Sequence, residues 1–240
     1  MNVRAVIFDV YKTLLAVAPP APGSEAAWDE LARAALGSPP PCTLAEFVAA
    51  TDALIAREHA AARAAGIAFP EIYWPDVAVA ALPGLAALRG TALDEFLLAQ
   101  KALLHRVSLM PGAVAALAAL RAAAVPLGIA SNAQPYTLHE LGRALAPAGA
   151  GLAWFEPDLC FWSFAHGFSK PDPHVFRLLT ARLRARGIAP QDTLMVGDRI
   201  DNDIAPARAQ GWRTWRLGAP SDHPSEGGWP ALQAALARRG

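Results

Sequence analysis

The sequence predicts an α/β protein, a doubly wound Rossmann-like parallel sheet core with an inserted α-helical unit. Three observations carry this expectation. An almost unbroken apolar run, Val3 to Phe8, ends abruptly at Asp9, and continuous rather than alternating apolar residues mark a strand covered on both faces. Similar short runs recur at 126–130, 193–196 and 214–217 with helical patterns between them, the rhythm of a parallel sheet with right-handed crossovers. From Ser24 to about Arg106 only helical patterns occur, which marks an insertion with a small core of its own.

The elements follow in order. Prolines 19, 20 and 22 and Gly23 make 16–23 a loop or hinge. Ser24 is the expected N-cap of a helix over 25–36, stopped by Gly37 and the prolines at 39–41. Thr43 followed by Glu46 is a capping-box signature for a helix reaching about Ala65, ended by Gly66. A short helix within Pro70–Leu82 and another from Thr91 to His105 complete the insertion. Tyr73 and Trp74 are expected in its core. The α/β rhythm then returns with a helix at 112–124, a strand at 126–130, a helix at 136–146 and a strand at 159–162. A helix at 173–186 opens on Pro173, a residue suited to a first turn, and is closed by Gly187. The strand 193–196, a helix near 203–210, the strand 214–217, a loop at 218–228 and a last helix at 230–238 finish the chain. The domain reading is a core of residues 1–17 and 107–240 with a helical unit at 18–106.

Composition narrows the function. Of 240 residues, 54% are hydrophobic, enough for a sizeable core and against disorder. Lys plus Arg and Asp plus Glu number 21 each, which argues against a nucleic-acid surface or a polybasic membrane contact. Cys42 and Cys160 alone make neither a disulfide framework nor a zinc site. Asp9 interrupts the apolar length a signal sequence needs, and no run reaches spanning length. The expectation is a cytoplasmic protein that takes a small anionic substrate; nothing in the chain signals an oligomeric state.

Chemistry in such sheets lies beyond the carboxyl ends of the strands. Four strand ends or helix entries deliver polar residues there: Asp9 and Thr13, Ser131 and Asn132, Lys170, and Asp198 with Asp201 and Asp203. Each alone reads as a cap or turn residue, whereas together they form one consistent site. A nicotinamide-binding sheet is excluded because Asp9-Val10-Tyr11-Lys12-Thr13 replaces the glycine-rich turn that admits a pyrophosphate.

In these motifs the chain resembles the haloacid dehalogenase superfamily of hydrolases. Asp9-Val10-Tyr11-Lys12-Thr13 is similar to that superfamily's Asp-x-Asp-x-Thr, and Ser131 after Gly128-Ile129-Ala130 matches its second motif. Lys170 before Pro171-Asp172-Pro173 matches the third, and Gly197-Asp198 with Asp201 and Asp203 the fourth. The helical block is similar to the first type of cap found in the family. The resemblance implies Asp9 as nucleophile, with Thr13, Ser131 and Lys170 as its catalytic partners. It also implies Mg²⁺ held by Asp9, the Tyr11 carbonyl and Asp198, with Asp203 outside that shell. Ser131, the amides after it, Asn132, Tyr11 and Lys12 are expected at the substrate. Carboxylate attack splits one hard displacement into two easier ones, and a point charge from lysine offsets the repulsion of two anions.

The departure is Tyr11, where phosphatases of the family carry a second Asp for acid-base work, worth roughly 10²–10⁴-fold in rate. A tyrosine there resembles the branch that hydrolyses 2-haloacids without a metal. That branch lacks the Gly-Asp…Asp cluster that this chain retains, and places a Tyr where this chain has Phe176. The reading is therefore an Mg²⁺-dependent phosphatase, with metal-independent dehalogenation and a catalytically impaired binding role as alternatives.

Overall fold

The computed structural model describes residues 3–218 and 223–237. Its main sheet has six strands: β1 (Ala5–Phe8), β4 (Leu127–Ser131), β5 (Cys160–Trp162), β6 (Thr193–Gly197), β7 (Arg213–Leu217) and β8 (Glu226–Gly227). They run parallel in the order β5-β4-β1-β6-β7-β8. The chain leaves β1 toward β4 on one side and returns to β6 on the other, so the topological switch point falls at the end of β1. That crevice is where ligands bind in open α/β sheets.

Both faces of the sheet are covered, as its apolar runs require. One face packs Phe8, Val10, Leu117, Leu141, Val196 and Trp229, drawn in part from α5 (Ala113–Ala122), α6 (Pro135–Leu145) and α9 (Trp229–Ala237). The other packs Ile7, Phe161, Phe176, Leu179, Met195 and Trp212, with α7 (Pro173–Ala185) and α8 (Ala205–Ala209) lying over it. Phe176 stands edge-on to Trp212 at 5.7 Å and is fully buried, a core residue remote from the chemistry. Phe161 is likewise core, and Trp162 is half-buried against the opposite face.

The insertion comprises α1 (Ser24–Leu36), α2 (Leu44–Ala64), α3 (Trp74–Ala81) and α4 (Thr91–Ala102). It has its own core of Trp28, Phe47, Trp74, Leu85 and Phe96, in which Trp28 and Phe47 rings approach to 5.0 Å. The capping box at Thr43 and Glu46 is present. Glu25 adds to it, its carboxylate accepting from the Leu44 and Ala45 amides, where the helix dipole favours negative charge.

Several expectations are corrected. Residues 16–18 are not loop: β2 (Leu15–Ala18) pairs antiparallel with β3 (Arg106–Leu109), so the two passages between core and insertion form one ribbon. Four apolar residues before a proline cluster satisfy their backbone with a segment far away in sequence. Gly23, at φ 87°, is the cap of α1, and Ser24 is its first residue; only the glycine takes this left-handed conformation cheaply. The helix expected near 203–210 is a π-helical turn, Ile200–Ile204, followed by the short α8. Tyr73 is 45% exposed and outside the insertion core. The loop at 218–228 contains β8, and its residues 219–222, like residue 238 of the last helix, lie outside the described residues. No helix among the described residues is long and apolar enough to cross a membrane.

Candidate active site

The loop after β1 is wound tightly. The Val10 carbonyl accepts from the amides of Thr13, Leu14 and Leu15, and Lys12 at the apex has φ 62°. Left-handed backbone costs an L-residue roughly 1–2 kcal/mol, so a lysine here is held by the turn around it. The Asp9 amide donates to Val196 at 2.9 Å, and the Trp229 indole donates to the Thr13 carbonyl. The side chains that follow β1 are thereby fixed from both sides.

Asp9, Asp203 and Lys170 form a buried ionic triad. Lys170 Nζ donates to Asp9 Oδ1 at 2.8 Å and to Asp203 Oδ1 at 2.5 Å. Asp203 Oδ2 accepts from the Arg199 amide. A Cβ on Gly197 would fall 2.4 Å from Asp203 Oδ2, so a glycine at the end of β6 is what lets that carboxylate reach the triad. Asp9, Asp198 and Asp203 each offer an oxygen within 4.8 Å of the others. One lysine against three carboxylates leaves a local excess of negative charge.

The titration of these groups follows. Burial pushes the Asp9 carboxyl up to about 6; Asp203 and Asp198 add to the push and Lys170 opposes it. Asp198 is raised by burial and by Asp203, with Lys12 and Lys170 pulling it down. Burial alone would lower Lys170, but Asp9 and Asp203 outweigh it and hold the ammonium protonated.

A cleft of about 220 Å³ is lined by Asp9, Tyr11, Lys12, Asn132, Lys170, Asp198, Arg199, Asn202 and Asp203. Thr13 and Ser131 are fully buried beside it, and their hydroxyls have no hydrogen-bond partner among the described residues. A buried hydroxyl without a partner costs about 1–3 kcal/mol, a cost borne at sites that bind a polar group. Crowded oxygen donors suit a small hard cation such as Mg²⁺, and the residues present fit one.

Two expected contacts are revised. The Asn132 side chain donates to the Lys170 carbonyl at 2.9 Å and accepts from its amide at 2.7 Å, so both ends of the amide clip the lysine in place at the edge of the cleft it lines. Two of the amides after Ser131 are also committed: Ala133 donates to Ser163 Oγ and Gln134 to Thr137 Oγ1. Asp201 is outside the cleft lining, exposed and paired with Arg199.

Sequence reasoning missed the surroundings of Tyr11. Its hydroxyl lies 2.5 Å from Glu140 Oε2 and 2.9 Å from Thr137 Oγ1. Glu140 Oε1 bonds His105 Nε2 at 2.8 Å. Burial, then Glu140, drives the phenol's pKa well above its ordinary value. Lys101 Nζ stands nearby between the Trp74 and Tyr136 rings, 4.7 and 4.9 Å from their centres. The available signal was Glu140 itself, a carboxylate three residues after Thr137 among the buried residues of α6.

Further hydrogen bonds bind insertion to core. Gln134 accepts from the Trp74 amide and donates to the Ile72 carbonyl and to Glu71. Ser163 donates to the other Glu71 oxygen at 2.7 Å.

A phosphoserine phosphatase from Thermus thermophilus is 38% identical over 109 residues, covering 45% of this chain and 40% of that protein. The chain thus matches well under half the length of that curated relative. A 2-haloacid dehalogenase from Pseudomonas syringae pv. tomato superposes with TM-score 0.61 at 21% identity, covering 99% and 100% of the two chains. A HAD phosphatase from Thermococcus onnurineus gives 0.56 at 20%, covering 99% of each. Identities this low speak for the fold alone. The sequence profile of the haloacid dehalogenase-like hydrolases matches residues 3–211, from the strand before Asp9 to beyond the acidic cluster, and the chain belongs to that hydrolase family.

Proposed function

We propose that the protein is an Mg²⁺-dependent hydrolase of a small phosphorylated metabolite, working through a phosphoryl group transferred to Asp9. The observation that carries this reading is the meeting of Asp9, Asp198 and Asp203 oxygens within 4.8 Å at the ends of β1 and β6. Three carboxylates crowded on one point favour a cation between them, and the phosphatase relative supports the same direction. Asp9, Asp198 and the Tyr11 carbonyl would hold the cation, with Asp203 supporting from outside. The bound cation supplies charge neutralisation for two anions that must meet.

The remaining work belongs to the chain's own residues. Asp9 attacks phosphorus. Lys170, anchored by Asp203 and clipped by Asn132, offsets charge on Asp9 and on the transferring group. Charge stabilisation of this kind is usually the largest single catalytic contribution. The unpartnered hydroxyls of Ser131 and Thr13 donate to phosphoryl oxygens. The helical unit at 18–106 serves as the cap that covers the cleft and reads the leaving group.

One observation favours a second reading. Tyr11 in the acid-base position is the residue found in 2-haloacid hydrolysis, where halide leaves without a proton. Phosphate release from p-nitrophenyl phosphate, expected with Mg²⁺ and absent in Asp9→Asn, tests the first reading. Chloride release from 2-chloropropionate without added metal would replace it with the second.

A further inference from the structure

We infer that the substrate is an acyl phosphate, the mixed anhydride of a carboxylic acid and phosphoric acid, whose leaving group departs without receiving a proton. The inference rests on the phosphotransfer reading above. Its first support is where the Tyr11 hydroxyl points. That hydroxyl is bonded to Glu140 at 2.5 Å and to Thr137 at 2.9 Å, and Glu140 is anchored in turn by His105. The donor at the acid-base position is spent within the protein. To reach a leaving oxygen it would abandon a buried carboxylate and leave that charge with one fewer partner, a costly exchange.

The second support is the inventory of the cleft. Among the described residues its carboxylates are Asp9, Asp198 and Asp203. Asp9 is the nucleophile, Asp203 accepts from Lys170 and the Arg199 amide, and Asp198 completes the acidic cluster. None is left to protonate an alcohol. The third support is Lys12, exposed at the rim of the same cleft on strained backbone, a cation that meets a departing anion.

A carboxylate leaving group, with an ordinary pKa near 4, needs no acid; an alkoxide does. In the first step an Asp9 oxygen bonds to phosphorus as the bond from phosphorus to the acyl oxygen breaks, and the carboxylate leaves with the electron pair. Asp9 then carries an acyl phosphate of its own, so one such bond is exchanged for another of the same kind. In the second step water bonds to phosphorus, the bond to Asp9 breaks, and Asp9 leaves as carboxylate. The water's proton goes to the phosphate product or to buffer.

The test is kcat/KM of the full chain with Mg²⁺ on benzoyl phosphate against benzyl phosphate, corrected for spontaneous hydrolysis. The expected preference for benzoyl phosphate is about 10³-fold or more, within the range a missing acid implies. Tyr11→Asp is expected to narrow that preference by about 10²-fold, and Tyr11→Phe to preserve it. Comparable rates on the two phosphates in the unaltered protein, or a Tyr11→Phe loss confined to benzyl phosphate, would overturn the acyl phosphate assignment alone. Inactivity toward both phosphates, with or without chloride release from 2-chloropropionate, would overturn the phosphotransfer reading and the assignment with it.

Discussion

Two buried polar clusters flank the loop at residues 9–13, and they are built on opposite principles. On one side Asp9, Asp203 and Lys170 leave acid in excess, with the hydroxyls of Thr13 and Ser131 unpartnered. On the other, the Tyr11 hydroxyl, Thr137, Glu140 and His105 partner one another at 2.5–2.9 Å. Buried polar networks are stabilising when every member is satisfied and costly when some are not. The first cluster is completed by what it binds. The second is complete already and joins insertion to core, since His105 follows α4 while Glu140 lies on α6. The difference teaches that the Tyr11 hydroxyl belongs to the architecture of this fold, whereas Asp9, two residues earlier, lines the cleft where the chemistry is proposed.

Each cluster can be broken separately. Lys170→Met keeps the stem and removes the ammonium that bridges Asp9 and Asp203; turnover should fall about 10²–10³-fold, measured by phosphate release. An unchanged rate would mean that the ionic triad is structural. Glu140→Ala should instead cost about 2 kcal/mol of stability, read by urea denaturation, because the half-buried Tyr11 hydroxyl and His105 ring lose a shared acceptor. No loss there would erase the contrast.

The pH response sharpens it further. Asp9, ordinarily near 3.8, is held at about 6. A raised carboxyl contributes stability below its ordinary value and loses it as pH rises through about 6. The metal-free protein should therefore weaken across that window, and Asp9→Asn should remove this part of the dependence. Added Mg²⁺ should raise the melting temperature more at pH 7 than at pH 5. Lys12→Gly is the smallest change expected. It should gain about 1 kcal/mol from relieved backbone strain while KM for an anionic substrate rises a few-fold.

Much of the first cluster was legible in the sequence, because a buried strand ending in a carboxylate is a local pattern. Asp9, Ser131 and Asp198 each follow such a strand. Lys170 precedes a proline-started helix. The capping box at Thr43 was equally local. The second cluster was not legible as a cluster, since Tyr11, His105 and Glu140 lie on three separate segments, two of them connections and one α6, and meet only through tertiary packing. The β2–β3 ribbon was missed for the same reason: Leu15 and Leu109 are partners only once the insertion has closed on itself. Asn132 sits where sequence reasoning placed it, yet its amide turns to the Lys170 backbone, a choice set by the neighbouring loop.

The central claim is phosphoryl transfer to Asp9 from a substrate whose leaving group takes no proton. Its most direct test is mass spectrometry of the Asp9-containing peptide after acid quench of the protein with benzoyl phosphate and Mg²⁺. The expected result is one added phosphoryl group on that peptide, absent from Asp9→Asn. A peptide without it under turnover, or one carrying a carbon ester after incubation with 2-chloropropionate, would contradict the claim.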